Sequence, residues 1–216
     1  MTAPRQAADR ASLPERDAAP AILYYIRDPA NICTVIGLSL AVVALYLLLH
    51  ERIHWATVAL LAAVACDLLD GQIARRTPGR TPDHGRIGVQ LDSLVDIVTS
   101  AVVPGTLLLV MGGRQAVFLP GAILIAVAGV LRLSYFNVHS AGGDHFRGLP
   151  VYYNPLAVAG AVLLARWLGV YAVYATIVVL VILNLSSLRV PKQRGIGLWC
   201  LFGATFALMA ALIATN

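Results

Sequence analysis

The chain has 216 residues, is 59% hydrophobic and 12% charged, has a mean hydropathy of +0.78 and carries a formal net charge of +5. So much apolar surface on so short a chain excludes a soluble globular domain and points to membrane-spanning helices. Alternating strands of about ten residues are absent, which excludes an outer-membrane barrel, and the basic balance needs no nucleic-acid partner because positive-inside topology explains it.

Residues 1–20 are a polar mixture of Ala, Arg, Asp, Glu and Pro without the apolar core of a signal peptide, and read as a disordered cytoplasmic tail. Residues 21–28 read as a short interfacial helix. Apolar runs follow at 32–49, 55–73, 88–111, 116–138, 152–168, 171–187 and 196–214. Most approach the ~20 residues that a spanning helix requires. The fifth and sixth are shorter and meet at Arg166-Trp-Leu-Gly169, which reads as a tight helical hairpin. The expected fold is therefore all-α, a polytopic membrane helix bundle of seven spans. Cys33, Cys66 and Cys200 stand singly in apolar stretches and read as buried thiols. No internal repeat of the inverted-transporter kind is visible.

Orientation follows from Lys and Arg. With the N-terminus inside, the cytoplasmic segments hold twelve: Arg5, Arg10, Arg16, Arg27, Arg75, Arg76, Arg80, Arg86, Arg147, Arg189, Lys192 and Arg194. The opposite side holds Arg52, Arg114 and Arg166, and Arg132 lies within a span. This bias puts the ends of the second and third spans, and the loop 76–87 between them, on the cytoplasmic side of the inner membrane.

Those two span ends carry four aspartates, in Asp67-Leu-Leu-Asp70-Gly71-Gln-Ile-Ala74-Arg75 and Gly88-Val-Gln-Leu-Asp92-Ser-Leu-Val-Asp96. A charge near the bilayer centre costs ~3 kcal/mol even on the lenient insertion scale. At ~100° per residue, Asp67, Asp70, Gly71 and Ala74 share one helix face, and Gly88, Asp92 and Asp96 form one stripe on the next helix. Antiparallel neighbours would bring these faces together, with small residues permitting close approach. Hard carboxylate oxygens suit Mg²⁺, Mn²⁺ or Ca²⁺, and four of them suit two ions ~4 Å apart that clamp a phosphoryl group. The competing readings are helix-end residues that are solvated or salt-bridged to Arg75 and Arg86, or a cation transporter.

The pattern Asp-x2-Asp-Gly-x2-Ala-Arg…Gly-x3-Asp-x3-Asp resembles the signature of the CDP-alcohol phosphotransferases. These membrane enzymes move a phosphatidyl-type group from a CDP-linked lipid to an alcohol and release CMP. The resemblance implies a six-helix core over residues 21–192, with 193–216 as an added C-terminal span. It implies that Asp67, Asp70, Asp92 and Asp96 hold two Mg²⁺ or Mn²⁺ ions, that Asp67, Gly71, Ala74, Arg75 and Gly88 line the CDP site, and that Asp96 is also the base. It further implies a homodimer among membrane lipids. One departure is the spacing: 76–87 is twelve residues where the family has about eight, which reads as an enlarged loop at the mouth of the site.

Leu131-Arg132-Leu-Ser-Tyr-Phe136-Asn137, Gly148-Leu149-Pro150 and Arg189-Val-Pro191-Lys192 look like the phosphatidylserine synthase branch. That branch implies CDP-diacylglycerol and L-serine as substrates, with glycerol phosphate, inositol phosphate or choline as the alternative acceptors. A guanidinium inside a span suits a carboxylate or phosphate, so Arg132 is a candidate for the serine carboxylate or a substrate phosphate, or else a structural partner of an aspartate. Asn137, Arg189 and Lys192 are further candidates for acceptor or lipid phosphate; Arg189 and Lys192 equally fit a marker of the cytoplasmic face. Asn31 and Thr34 either touch the nucleotide or cap the first helix.

Overall fold

The computed structural model describes residues 21–139, 145–191, 193 and 195–215. The predicted tail 1–20, Lys192 and Arg194 lie outside the described residues. A 3₁₀ turn, Ile22–Arg27, leads into α1 (Pro29–Leu49) and α2 (Ile53–Arg76). The third span is one helical run with three parts: α3 (Pro82–Ile97), a π-helical turn Val98–Val102, and α4 (Val103–Met111). Then come α5 (Leu119–His139), α6 (Tyr153–Leu168), α7 (Tyr171–Asn184) and α8 (Ile196–Ala214).

The chain is an integral membrane protein. Five helical runs are long and apolar enough to cross a bilayer: Pro29–Leu49, Ile53–Arg76, Pro82–Met111, Ala116–His139 and Ile196–Ala214. They expose Val42, Tyr46, Ile123, Val127, Trp199 and Phe206 to the surroundings. Such wide apolar faces suit lipid rather than water. The fifth and sixth expected spans are helices of 16 and 14 residues. At 1.5 Å per residue each falls short of a ~30 Å hydrocarbon core. They form the expected hairpin, turning at Gly169 with φ 67°.

The core runs along the bundle axis. Ala41 and Ala44 of α1 and Ala56, Ala59 and Ala63 of α2 are buried, so these two helices pack closely. Leu107, Ile125, Val158, Ile177 and Leu212 bring α4 to α8 into the same core, with α8 packed on α2 and α6. Of the cysteines, Cys33 and Cys66 are half-buried and Cys200 is exposed on α8, so burial of all three is not what the fold provides.

Two local features shape the working end. First, α3 starts at Pro82, well before the expected 88. The Thr81 hydroxyl accepts a hydrogen bond from the His84 amide, Pro82 occupies the first turn, and Asp83 adds an acid there. These are helix-start signals that an apolar run does not count. The enlarged loop is thus mostly extra helix, with a real turn of only 77–81. Second, Pro104 has no N–H to give the carbonyl of Ser100. The buried Asn154 of α6 donates to that carbonyl instead, at 3.1 Å.

A small antiparallel pair, β1 (His145–Arg147) with β2 (Arg189–Pro191), closes the same end. Gly148 follows β1 at φ 72°, and a Cβ there would collide with the Asn184 carbonyl oxygen. This explains the glycine of Gly-Leu-Pro: it lets the chain turn against the end of α7, where Leu149 N–H bonds the Leu183 carbonyl at 3.0 Å.

Candidate active site

The start of α1, the end of α2 and the start of α3 meet at one end of the bundle. The expectation was that α2 and α3 face each other directly. Instead α1 packs along α2 and across α3, and the two aspartate helices stand apart with a gap between them. The carboxylates line that gap. One oxygen from each of Asp67, Asp70 and Asp92 lies within 4.8 Å of the others. The Asp67 and Asp92 carboxyls face each other at hydrogen-bonding range. Asp70 accepts a hydrogen bond from the Thr34 hydroxyl at 2.5 Å, in a buried setting. Asp96 is one turn deeper than Asp92, immediately before the π turn, and stands outside this group of three.

Among the described residues no Arg, Lys or His forms an ion pair with any of the four aspartates. Arg86 pairs with Asp83 on the surface at 3.4 Å. Arg75 is exposed, with its guanidinium beside Gly71. The expected alternative of salt bridges from Arg75 and Arg86 to the four aspartates is therefore not what the structure has. Like charges held this close without a cationic side chain suit a divalent ion. A spread of up to 4.8 Å lies within the ~5 Å reached by oxygens around one Ca²⁺ and is wider than the ~4.2 Å across one Mg²⁺, which would have to draw the carboxylates inward. The donor set, all oxygen, suits these ions rather than zinc.

Above the carboxylates a cavity of about 130 Å³ is lined by Asn31, Thr34, Asp70, Gly71, Ala74 and Gly88, and also by Arg80 and Asp92. The structure thus brings together the residues expected on the nucleotide side, apart from Asp67 and Arg75. Asn31 and Thr34 do not cap α1: the cap position is Asp28, and it makes no side-chain cap bond. Asn31 donates to the Tyr25 carbonyl at 2.9 Å, and Thr34 serves Asp70.

On the far side of Asp96, Arg132 is buried at 6% exposure. Its guanidinium lies over two rings, 5.2 Å from the centre of Phe136 and 5.3 Å from that of Phe146. It interacts electrostatically with Asp96, but no ion pair joins them, and its Nε has no hydrogen-bond partner among the described residues. Arg132 lines a cavity of about 380 Å³ with Tyr135, Arg147, Asn184, Ser186 and Ser187. Asn137 is not brought there: it exchanges hydrogen bonds with Ser93 of α3, at 3.0 and 3.2 Å, and so ties α5 to α3. Arg189 is exposed on β2 opposite Arg147.

Sequence reading passed over Arg80 and Asn184. Asn184 is buried, and both of its side-chain polar atoms lack partners among the described residues. Its signal was present: a lone amide inside the apolar run 171–187.

The family model for CDP-alcohol phosphatidyltransferase matches residues 28–215, nearly the whole described chain. The chain belongs to the CDP-alcohol phosphatidyltransferase family. It is 32% identical over 169 residues to archaetidylserine synthase of Methanothermobacter thermautotrophicus, covering 77% of this chain and 71% of that protein. It is 30% identical over 130 residues to CDP-diacylglycerol–serine O-phosphatidyltransferase of Bacillus subtilis, covering 54% and 71%. It is also 30% identical over 182 residues to phosphatidylcholine synthase of Bradyrhizobium diazoefficiens, covering 78% and 66%. Membership makes the chain a phosphatidyltransferase of phospholipid synthesis and removes the cation-transporter reading. The three-carboxylate group accounts for how a family member's divalent metal would be held.

Proposed function

We propose that this enzyme transfers the phosphatidyl group of CDP-diacylglycerol to L-serine, giving phosphatidylserine and CMP. The observation that carries the acceptor is Arg132. It is a buried cation whose Nε has no hydrogen-bond partner among the described residues, beside Asp96, on a cavity whose other polar walls are Tyr135, Arg147, Asn184, Ser186 and Ser187. A planar guanidinium there binds a carboxylate in two-point fashion and repels the quaternary ammonium of choline. The names of the archaeal and Bacillus relatives support the same choice.

Asp67, Asp70 and Asp92, joined by Asp96, would hold two Mg²⁺ or Mn²⁺ ions. When bound, these ions neutralise the donor pyrophosphate and the charge that develops on departing CMP. Asn31, Thr34, Gly71, Ala74, Arg75 and Gly88 receive the nucleotide. Asp96 takes the proton of the serine hydroxyl as its oxygen attacks the phosphorus bearing diacylglycerol. The new P–O bond forms as the bond to the bridging oxygen breaks. Arg132 orients the acceptor, and Arg189 and Lys192 approach the lipid phosphate. The reaction faces the cytoplasm, supported by the basic residues Arg75, Arg76, Arg80, Arg147 and Arg189 at this end of the bundle. A homodimer packed through membrane helices is the working form.

The test is an acceptor panel with purified protein, CDP-diacylglycerol and Mg²⁺ or Mn²⁺, reading CMP release. L-Serine is expected to support release, and glycerol 3-phosphate, inositol phosphate and choline to give background only. Turnover with choline but not serine would reverse the assignment. Arg132→Gln is expected to raise the KM for serine; a loss confined to CDP-lipid affinity would sink the carboxylate role.

A further inference from the structure

Arg80 sits in the short turn between α2 and α3, yet its guanidinium reaches into the 130 Å³ cavity beside Asp70 and Asp92. Three contacts fix it. Its Nε donates to Asp28 Oδ2 at 2.9 Å, and its Nη2 lies 3.3 Å from Asn31 Oδ1 and 3.4 Å from the His84 carbonyl. The Asp28 side chain is 2% exposed, against 20% for Arg80. Asp28 stands at the cap position of α1 but gives its carboxylate to Arg80 rather than to the helix. The Nη1 edge has no partner among the described residues. Gly88 makes room for this arrangement: a Cβ there would come within 2.6 Å of Arg80 Nη2 and 2.8 Å of Asn31 Oδ1.

The guanidinium is thus pre-oriented, held on one edge and open on the other. It lies at the level of Gly88, one helical turn from Asp92 and two from Asp96, toward the mouth. A donor whose reacting phosphorus lies toward Asp96 has its other, cytidine-bearing phosphate on the side of the cavity that Arg80, Asp70 and Asp92 line. Asp70 and Asp92 line the same cavity but form no ion pair with Arg80, whose charge is paired with Asp28 on one edge while, among the described residues, its other edge stays open to a ligand.

We propose that Arg80 binds the phosphate that leaves as CMP, and that Asp28 is the positioning residue that holds it there. This rests on reading the cavity as the CDP site. Arg80 then stabilises the leaving group as charge accumulates on it, by donating charge-assisted hydrogen bonds from the free edge of its guanidinium.

The experiment is calorimetric binding of CMP and of cytidine to the full-length protein in detergent with Mg²⁺. Arg80→Gln is expected to weaken CMP about 10–100-fold, the range of a charged hydrogen bond, and to leave cytidine unchanged. Arg80→Lys recovers only part of the loss, because one ammonium cannot serve both Asp28 and a phosphate. Asp28→Asn weakens CMP less than Arg80→Gln does. If Arg80→Gln fails to fold, the double variant Asp28→Leu/Arg80→Met removes both charges, and the same CMP loss is expected of it. Unchanged CMP affinity in a folded variant overturns the proposal and leaves Arg80 as a strut. Equal losses for CMP and cytidine overturn the phosphate assignment. Failure of the unaltered protein to bind CMP at all refutes the reading of the cavity instead.

Discussion

Thr34→Val separates the carboxylate group from the support around it. Valine keeps the shape and β-branching of threonine and deletes only the hydroxyl that reaches Asp70 Oδ2 at 2.5 Å. That hydroxyl has one proton. Its other neighbour, the Ala30 carbonyl, is farther away at 3.1 Å and is already a helix acceptor. Asp70 therefore loses the one side-chain hydrogen bond it receives among the described residues, in a position that is 8% exposed.

A hydrogen bond to a charged group is worth ~1.5–3 kcal/mol, which corresponds to roughly 10–100-fold in a binding constant. The expected outcome is a 10–100-fold rise in the Mg²⁺ or Mn²⁺ concentration giving half-maximal CMP release, with the rate at saturating metal changed far less. Thr34→Ser keeps the hydroxyl and is expected to restore most of the metal affinity. The assay is initial rate against free metal at saturating CDP-diacylglycerol and serine, after stripping with chelator. An unchanged metal curve for Thr34→Val, with the protein folded, would refute the idea that Asp70 is a metal ligand oriented from α1.

Two further outcomes are expected. Asp96→Asn should cut turnover by ~10²–10⁴, the usual contribution of a general base, with CMP affinity retained because Asp67, Asp70 and Asp92 are untouched; near-normal turnover rejects the base. Gly148→Ala forces a left-handed φ of 72° on alanine and sets its Cβ against the Asn184 carbonyl. A loss of ~1–3 kcal/mol, read as a lowered melting temperature in detergent, is expected from strain and overlap together, and an unchanged melt would show that the turn relaxes freely.

Helical spacing was enough to put Asp67 and Asp70 on one face and Asp92 and Asp96 on another, because a face is a property of one helix and its sequence. What spacing does not carry is which helix lies opposite. The neighbour across from both aspartate helices is α1, so the roles of Asn31 and Thr34 could be framed from the sequence but not decided. The same holds for Arg132. Its place in a span was legible, whereas its ring partner Phe146 is brought over by pairing between residues 145–147 and 189–191, which no local pattern encodes. Asn137, five residues beyond Arg132, is turned to Ser93 by the same helical rotation that made the aspartates legible.

The loop was misread for a different reason. An apolar-run criterion registers the membrane and ignores the amphipathic first turns of α3, although Thr81, Pro82 and Asp83 announce them. Once those turns are helical, Arg80 lies immediately before α3, and Gly88 is in contact with its guanidinium. The extra residues then lengthen the wall of the nucleotide site rather than drape a flexible flap across its mouth. On that account, deleting residues of the 77–87 segment should affect CMP affinity before it affects the choice of acceptor, since the Arg132 cavity is walled by α5, β1 and the end of α7 and takes nothing from this segment.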